Sequence, residues 1–79
     1  MRKYVVPYDV PFHNHIRRYR EALNLTQADL AAKVGVSKNA ISSFEREEYF
    51  PSAMTALFLC SALGCSFAQL FYFDEVIEA

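Results

Sequence analysis

Four side chains in this sequence have the chemistry of zinc ligands: His13, His15, Cys60 and Cys65. Imidazole nitrogen and thiolate sulfur are the ligands that structural zinc sites use most. Cys60, however, falls on the apolar side of a predicted helix, and Cys65 directly follows the glycine that ends it. We therefore interpret both cysteines as reduced core residues and expect neither a metal site nor a disulfide.

Patterns typical of catalysis are missing from the sequence. It contains no Ser-His-Asp arrangement, no glycine-rich phosphate loop and no pair of acidic residues at a usable spacing. Nothing in it indicates a domain that would bind a small-molecule effector. We therefore predict a protein that is not an enzyme and needs no cofactor.

The charged residues are divided unevenly along the chain. Residues 1–46 hold all eight lysines and arginines with four acids, a net charge of +4, whereas residues 47–79 hold five acids and no base, a net −5. The total of −1 argues by itself against a nucleic-acid partner. The division instead predicts that one end faces phosphate while the other faces protein or solvent, with ordinary solvated surface as the alternative.

Residues 26–45 predict two short helices joined by a tight turn. Thr26 can cap the first helix, with Asp29 returning the bond as a capping-box acid. Gly35 follows the last apolar residue of that helix, where a positive φ is expected, and Ser37 can cap the second helix. The inward-facing apolar residues at helical spacing are Leu30, Ala31, Val34, Ile41 and Phe44. This is the arrangement that presents a helix to the major groove of DNA.

Three further helices are predicted around this pair. The first covers about 12–23, with an apolar stripe of Phe12, Ile16, Tyr19 and Leu23, and turns at Asn24. The fourth begins after Ser52 and ends at Gly64, and Ser66 caps a fifth that ends at Leu70. Residues 1–11 contain Pro7 and Pro11, and we expect an extended, non-helical arm there. From about residue 71 the chain either extends the fifth helix or forms a strand.

The chain length of 79 residues allows one domain near the lower size limit for a single core. No stretch approaches the roughly 20 apolar residues of a membrane span. Pro7, Asp9 and Pro11 interrupt any signal-peptide core. We therefore predict a cytoplasmic protein with no membrane association.

Taken together, these motifs resemble the Cro and cI-repressor type, or XRE-like, helix-turn-helix family. The residues that carry the resemblance are Arg20, Thr26-Gln27, Leu30-Ala31, Gly35-Val36-Ser37, Ile41-Ser42, Glu45-Arg46, Pro51-Ser52, Leu63-Gly64 and Ser66. The resemblance implies an all-α, compact five-helix lambda-repressor-like DNA-binding domain over residues 12–71. It leaves an arm at 1–11 and a tail at 72–79, and the tail is a candidate part of a dimer interface.

The resemblance also implies roles for individual residues. Base-contacting positions would be Lys38, Asn39 and Ser43, whose donors suit guanine and adenine edges. Phosphate-contacting positions would be Gln27 and Ser42, and the family position of Ser42 touches either phosphate or base edges. We add Arg46, Arg17 and Arg18, for which an ordinary solvated surface is the alternative. Arg20 and Glu45 match a pair that forms a largely buried salt bridge in similar proteins.

One position departs from the family pattern. The family usually places glycine directly after the Glu-Arg pair, but here Glu47 stands there, followed by Glu48. Either the third helix runs one turn longer or Glu47 adopts a left-handed conformation. Two acids near the DNA backbone would also weaken non-specific affinity.

The fourth predicted helix is apolar nearly all round. Ala53, Ala56, Leu59, Cys60 and Leu63 would suffice for an inward face. The additional apolar residues predict a homodimer interface formed by Met54, Leu57, Phe58, Tyr72 and Phe73. The alternative is a larger monomeric core in which the N-terminal arm, through Tyr4, Val5 and Val6, covers the same surface.

The sequence therefore predicts a sequence-specific DNA-binding transcriptional regulator, a repressor, acting as a homodimer on a pseudo-palindromic operator. Two alternatives stay open. One is an antitoxin or restriction-modification controller with the same mode of DNA binding. The other is a protein-interaction module that has lost DNA binding, which the net charge and the two acids favour.

Overall fold

The computed structural model of the chain describes residues 12–73 and consists of five short helices and a two-stranded hairpin. The elements, in chain order, are β1 (Phe12–Asn14), α1 (Ile16–Ala22), α2 (Gln27–Val34), α3 (Lys38–Glu45), α4 (Ala53–Leu63), α5 (Phe67–Leu70) and β2 (Phe71–Phe73). The five predicted helices are confirmed. The predicted arm at 1–11, and the part of the predicted tail that follows residue 73, lie outside the described residues.

Local capping signals set most of the helix ends. Thr26 and Asp29 form the predicted capping box, in which the Thr26 hydroxyl accepts from the Asp29 N–H and the Asp29 carboxylate accepts from the Thr26 N–H. Ser52 caps α4 through the N–H of the residue three positions on. Gly35 and Gly64 end α2 and α4 in the left-handed conformation, at φ of 74° and 68°.

The capping-box carboxylate makes the stability of α2 depend on pH. The hydrogen bond from the Thr26 backbone N–H, more than any other contact, lowers the pKa of Asp29 below its ordinary 3.8. Because the folded pKa lies below the unfolded pKa, the contribution is present above that unfolded value and is lost as pH falls through the folded pKa. Asp29→Ala should therefore lower Tm at neutral pH and flatten the fall of Tm with acidification. Thermal melts across the acid range check this, and parallel profiles for both proteins would contradict it.

The start of α1 differs from the prediction. Residues 12–14 form a strand rather than helix, and pair antiparallel with β2 so that Phe12 lies opposite Phe73. The Asn14 side chain stabilises the change from strand to helix, because its Nδ2 donates to the Phe44 carbonyl at 2.8 Å and its Oδ1 accepts from the N–H of Ile16, the first residue of α1. The predicted stripe is also wrong at Leu23, which follows the end of α1 and is exposed.

The structure decides between a longer third helix and a left-handed Glu47, the two alternatives for the position where the family usually has glycine. α3 ends at Glu45, and Glu47 adopts the left-handed conformation at φ 62°. Its carboxylate accepts from His13 Nδ1 at 2.9 Å and from the Asn14 backbone N–H at 3.0 Å. These bonds to β1 help to offset the roughly 1–2 kcal/mol that a left-handed conformation costs an L-residue.

The core lies between α4 and the other helices. Its buried apolar residues are Ile16, Leu30, Ala31, Val34, Ile41, Phe44, Ala56, Leu59, Cys60, Leu63, Leu70 and Phe71. Cys60 is buried and Cys65 is half-buried against the core, both as free thiols whose pKa is raised by burial. Within residues 12–73 no group of three or more histidine, cysteine and acidic residues is placed to hold a metal ion.

Helix α4 has one buried and one exposed apolar face. Ala56, Leu59 and Leu63 are buried, whereas Met54 and Leu57 are 67% and 64% exposed. Ala53, which the sequence placed on the inward face, is exposed.

None of the helices in the described part of the chain has both the length and the apolar character to cross a bilayer.

Candidate nucleic-acid interface

The first turn of α3 presents Lys38 and Asn39 to solvent. Ser37 caps the helix, since its hydroxyl accepts from the Ala40 N–H at 3.0 Å, so Lys38 and Asn39 are the first two helical residues. Both residues are exposed, and Ser43, one turn further on, is half-buried. The structure thus brings the three residues predicted to contact bases onto one short helix with an open tip.

Helices α1, α2 and α3 enclose an open cleft of about 320 Å³. It is lined by Arg17, Arg20, Gln27, Ser42, Glu45 and Arg46. Four of the five residues predicted to contact phosphate therefore share one surface. Arg18 is exposed on α1 but does not line the cleft. Guanidinium, amide and hydroxyl donors converging on an open cleft form a surface that suits an anion such as a phosphate.

A buried ion pair forms the floor of the cleft. Arg20 Nε donates to Glu45 Oε2 at 2.7 Å and Nη2 donates to Oε1 at 3.2 Å, in a bidentate pair whose side chains are only 11% and 6% exposed. Arg20 Nη1 also donates to the Leu25 carbonyl at 2.8 Å. The hydrogen bond to Glu45, more than any other interaction, raises the pKa of Arg20. The pair therefore locks α1 to α3 and fixes the angle at which the motif is held.

Gln27, the first residue of α2, belongs to the same network. Its Nε2 donates to Glu45 Oε1 at 3.1 Å, so Glu45 accepts from both Arg20 and Gln27. An amide nitrogen carries two hydrogens, and the second remains for another acceptor. Gln27 is half-buried at the mouth of the cleft, where the N-terminus of α2 adds its partial positive charge.

Arg46, which follows α3, is held by two neighbours. Its Nη1 donates to the Ser42 hydroxyl and its Nε donates to Glu48 Oε1 at 2.8 Å, while Nη2 forms an ion-pair contact of 2.7 Å with the same oxygen. Arg17 instead makes a single longer contact, 3.4 Å, with Glu21 one turn on. Each of these two exposed arginines at the rim thus faces a carboxylate of the same chain.

On the opposite side of α3 lies a second groove with a mainly apolar surface. Tyr49 and Phe50, from the loop before α4, line it together with Asn39 and Ser43, and they are 69% and 57% exposed. The sequence analysis did not select these two aromatic residues, although two large apolar side chains in an otherwise polar loop were a usable signal. Apolar side chains next to residues that contact bases are able to contact thymine methyl groups, and Asn39 and Ser43 are predicted to be such residues.

The sequence matches the family described as helix-turn-helix over residues 16–70. The chain belongs to that family. It is 36% identical over 62 residues to an HTH-type transcriptional regulator of Methanocaldococcus jannaschii, and the aligned region covers 78% of this chain and 94% of the relative. It is also 47% identical over 51 residues to Repressor protein C2 of Salmonella phage P22, covering 65% of this chain but 24% of the repressor.

Solved structures extend this similarity to the fold. The P22 c2 repressor in complex with a synthetic operator superposes with a TM-score of 0.66 at 45% identity, over 67% of this chain and 80% of that one. The restriction-modification controller protein C.AhdI from Aeromonas hydrophila gives a TM-score of 0.65 at 27% identity, over 70% and 83%. The predicted lambda-repressor-like, Cro and cI type of fold is confirmed.

Within this helix-turn-helix domain, α2 and α3 are the two helices of the motif and Gly35 lies at their turn. The structure places Lys38 and Asn39 at the open end of the second helix and Gln27 at the start of the first. Gln27 lines the cleft together with Ser42, Glu45 and Arg46 from the second half of α3 and its end.

Proposed function

We propose that this chain is a sequence-specific DNA-binding transcriptional regulator, a repressor, that reads the major groove with α3 as a homodimer. The observation that carries the proposal is the open tip of α3, where Lys38 and Asn39 are exposed. The cleft between α1, α2 and α3, lined by arginine and amide donors, adds a second surface that suits DNA. Transcriptional regulators among its relatives support a regulatory rather than an enzymatic role. The protein acts in the cytoplasm on double-stranded DNA and needs no cofactor.

Base reading falls to Lys38, Asn39 and Ser43. With α3 in the groove, a lysine ammonium donates to guanine O6 or N7, and an asparagine amide forms a bidentate pair with adenine N6 and N7. Ser43, one turn from Asn39, donates to or accepts from a neighbouring base edge. Exposure of the first two side chains makes this docking possible without rearrangement of the helix.

Phosphate contacts fix the orientation of α3. Gln27 uses its second amide hydrogen, and Ser42, Arg46, Arg17 and Arg18 supply hydroxyl and guanidinium donors. Glu45 does not repel the backbone here, because Arg20 and Gln27 already donate to its carboxylate. A chain with net charge −1 can therefore still present a local surface suited to DNA.

The homodimer forms through the exposed apolar face of α4 and the end of β2. The residues of this dimer face are Met54, Leu57, Phe58, Tyr72 and Phe73, which are 39% to 67% exposed. Large apolar side chains grouped on one helix face typically mark a protein interface. Two-fold symmetry then sets two α3 helices about 34 Å apart, to match half-sites one turn of DNA apart.

Asn39→Ala tests the reading of bases. We expect binding to the preferred operator to weaken by about 1–3 kcal/mol, and the loss to vanish when the base pair opposite Asn39 is changed. Gln27→Ala is the matched control at a phosphate position, and should weaken binding to every duplex by a similar factor. Fluorescence anisotropy with a set of operator variants measures both. An equal loss for Asn39→Ala on random DNA would contradict its assignment.

A second candidate function is that of a restriction-modification controller. The fold similarity to C.AhdI favours it, and the mode of DNA binding would be the same. A protein-interaction module without DNA binding is the remaining alternative. A titration of random and genomic duplexes at several salt concentrations separates the last from the others, because phosphate contacts impose a steep fall of affinity with salt.

A further inference from the structure

The guanidinium of Arg46 is already occupied in the way that a phosphate would occupy it. We propose that the Glu48 carboxylate is an intramolecular competitor of DNA for Arg46, and that this competition lowers the affinity of the protein for every duplex. The inference rests on the proposed function. It assigns to Glu48 a role in setting the overall affinity for DNA and the salt dependence of binding. Residues that read bases set the sequence preference instead.

The contacts define this competition. Arg46 Nε donates to Glu48 Oε1 at 2.8 Å and Nη2 lies 2.7 Å from the same oxygen, while Nη1 donates to the Ser42 hydroxyl. Arginine recognises phosphate through the same edge of parallel N–H donors that it uses for a carboxylate. A duplex phosphate and Glu48 therefore cannot both use this edge of Arg46.

Backbone geometry keeps Glu48 close to Arg46. The Glu48 N–H donates to the Ser43 carbonyl at 3.0 Å, and the Glu47 N–H donates to the Phe44 carbonyl at 3.0 Å. The left-handed conformation of Glu47 turns the chain between these two bonds. Glu48 is thus held next to the end of α3, not at the end of a free loop.

The other acids at the cleft do not compete in this way. Glu45 is buried and its carboxylate is committed to Arg20 and Gln27. Glu21 reaches Arg17 through one 3.4 Å contact between exposed side chains. The Arg46–Glu48 pair has the shorter contacts of the two rim pairs, so it is the pair that a phosphate must open.

Separating Arg46 from Glu48 changes the number of ions that are released when the protein binds DNA. When a phosphate replaces Glu48 on Arg46, the DNA releases a counterion, but the freed carboxylate attracts a cation from solution. The net release is therefore smaller than for an unpaired arginine, and the salt dependence of binding is shallower.

The test is a double-mutant cycle on the full chain with Glu48→Gln, Arg46→Ala and the combined variant, using a random-sequence duplex as the probe. Glu48→Gln should raise affinity about two- to fivefold, the range expected for an exposed ion pair. It should also steepen the salt dependence by up to about 0.9 in log–log slope. Both effects should vanish in the Arg46→Ala background. Glu21→Gln, which removes the same unit of charge beside a weaker pair, should give a smaller gain.

The outcomes separate this inference from the proposed function. A gain from Glu48→Gln that persists unchanged without Arg46 indicates a general charge effect and overturns the competition, as does no gain at all. If the wild-type protein binds duplexes but the cycle shows no coupling, only this inference fails. If neither the wild type nor Glu48→Gln binds any duplex, the inference and the proposed function fail together.

Discussion

Replacing Arg20 with alanine is expected to lower the free energy of unfolding by about 3–5 kcal/mol. The substitution leaves the Glu45 carboxylate, only 6% exposed, without its bidentate partner, and frees the Leu25 carbonyl. A stranded buried charge is among the largest penalties that a single substitution imposes. For a domain of this size that is a large part of the total stability. Urea unfolding followed by circular dichroism measures the change.

Two controls make this result specific. Arg18→Ala removes an exposed arginine from the same helix and should change the free energy of unfolding by less than about 0.5 kcal/mol. Arg20→Met combined with Glu45→Leu replaces both charges and should be far less destabilised than Arg20→Ala alone, although Gln27 loses its acceptor. A loss below about 1 kcal/mol for Arg20→Ala would show that the pair does not hold α1 against α3.

Leu57→Lys is expected to separate the proposed homodimer. A lysine at the centre of the dimer face sets a charge against an apolar surface of the partner, whereas in a single chain Leu57 is 64% exposed and its replacement leaves the core intact. Binding to a two-site operator should fall by about 100-fold or more, because the second half-site is no longer bound intramolecularly. Binding to an isolated half-site should be nearly unchanged.

Leu23→Lys is the matched control for that experiment. Leu23 is also a large exposed apolar residue, at 49%, but it lies after α1 and outside the dimer face. Sedimentation velocity should find a dimer for this variant and a monomer for Leu57→Lys. A Leu57→Lys protein that remains dimeric would show that the dimer interface lies elsewhere.

Much of the fold follows from short-range signals in the sequence. The capping residues Thr26, Ser52 and Ser66, together with Gly35 and Gly64, set the ends of three helices where they were predicted. Each signal works within about one helical turn, because a side chain or a left-handed residue satisfies backbone groups that the helix leaves unpaired. Such ends can be predicted without knowing the rest of the fold.

The hairpin could not be predicted in the same way. Phe12 reads as a continuation of the apolar stripe of α1, and the partner that makes it a strand, Phe73, lies at the other end of the chain. The Phe12 ring stacks on the Phe73 ring, with centroids 4.7 Å apart, and packs on the Phe50 ring with centroids 5.0 Å apart. A strand of three residues carries too little periodic signal to outweigh the helical one.

The sequence predicted individual residues of the candidate site better than the hydrogen bonds that join them. The place of Lys38 and Asn39 in the first turn of α3 follows from the Ser37 cap. The link of Gln27 to Glu45 and the bonds of Glu47 to β1 join residues 18 to 34 positions apart. These links arise only once tertiary packing has brought the segments together, so no local spacing rule could predict them.

Selection of bound sequences from a random pool of DNA tests most directly whether the tip of α3 reads bases. We expect an enriched pseudo-palindrome with half-sites about 34 Å apart. Asn39→Ala should relax the choice of base at one symmetry-related pair of positions and leave the other positions unchanged. A pool that shows no enrichment after selection with the wild-type protein, or one that Asn39→Ala leaves identical, would contradict this expectation.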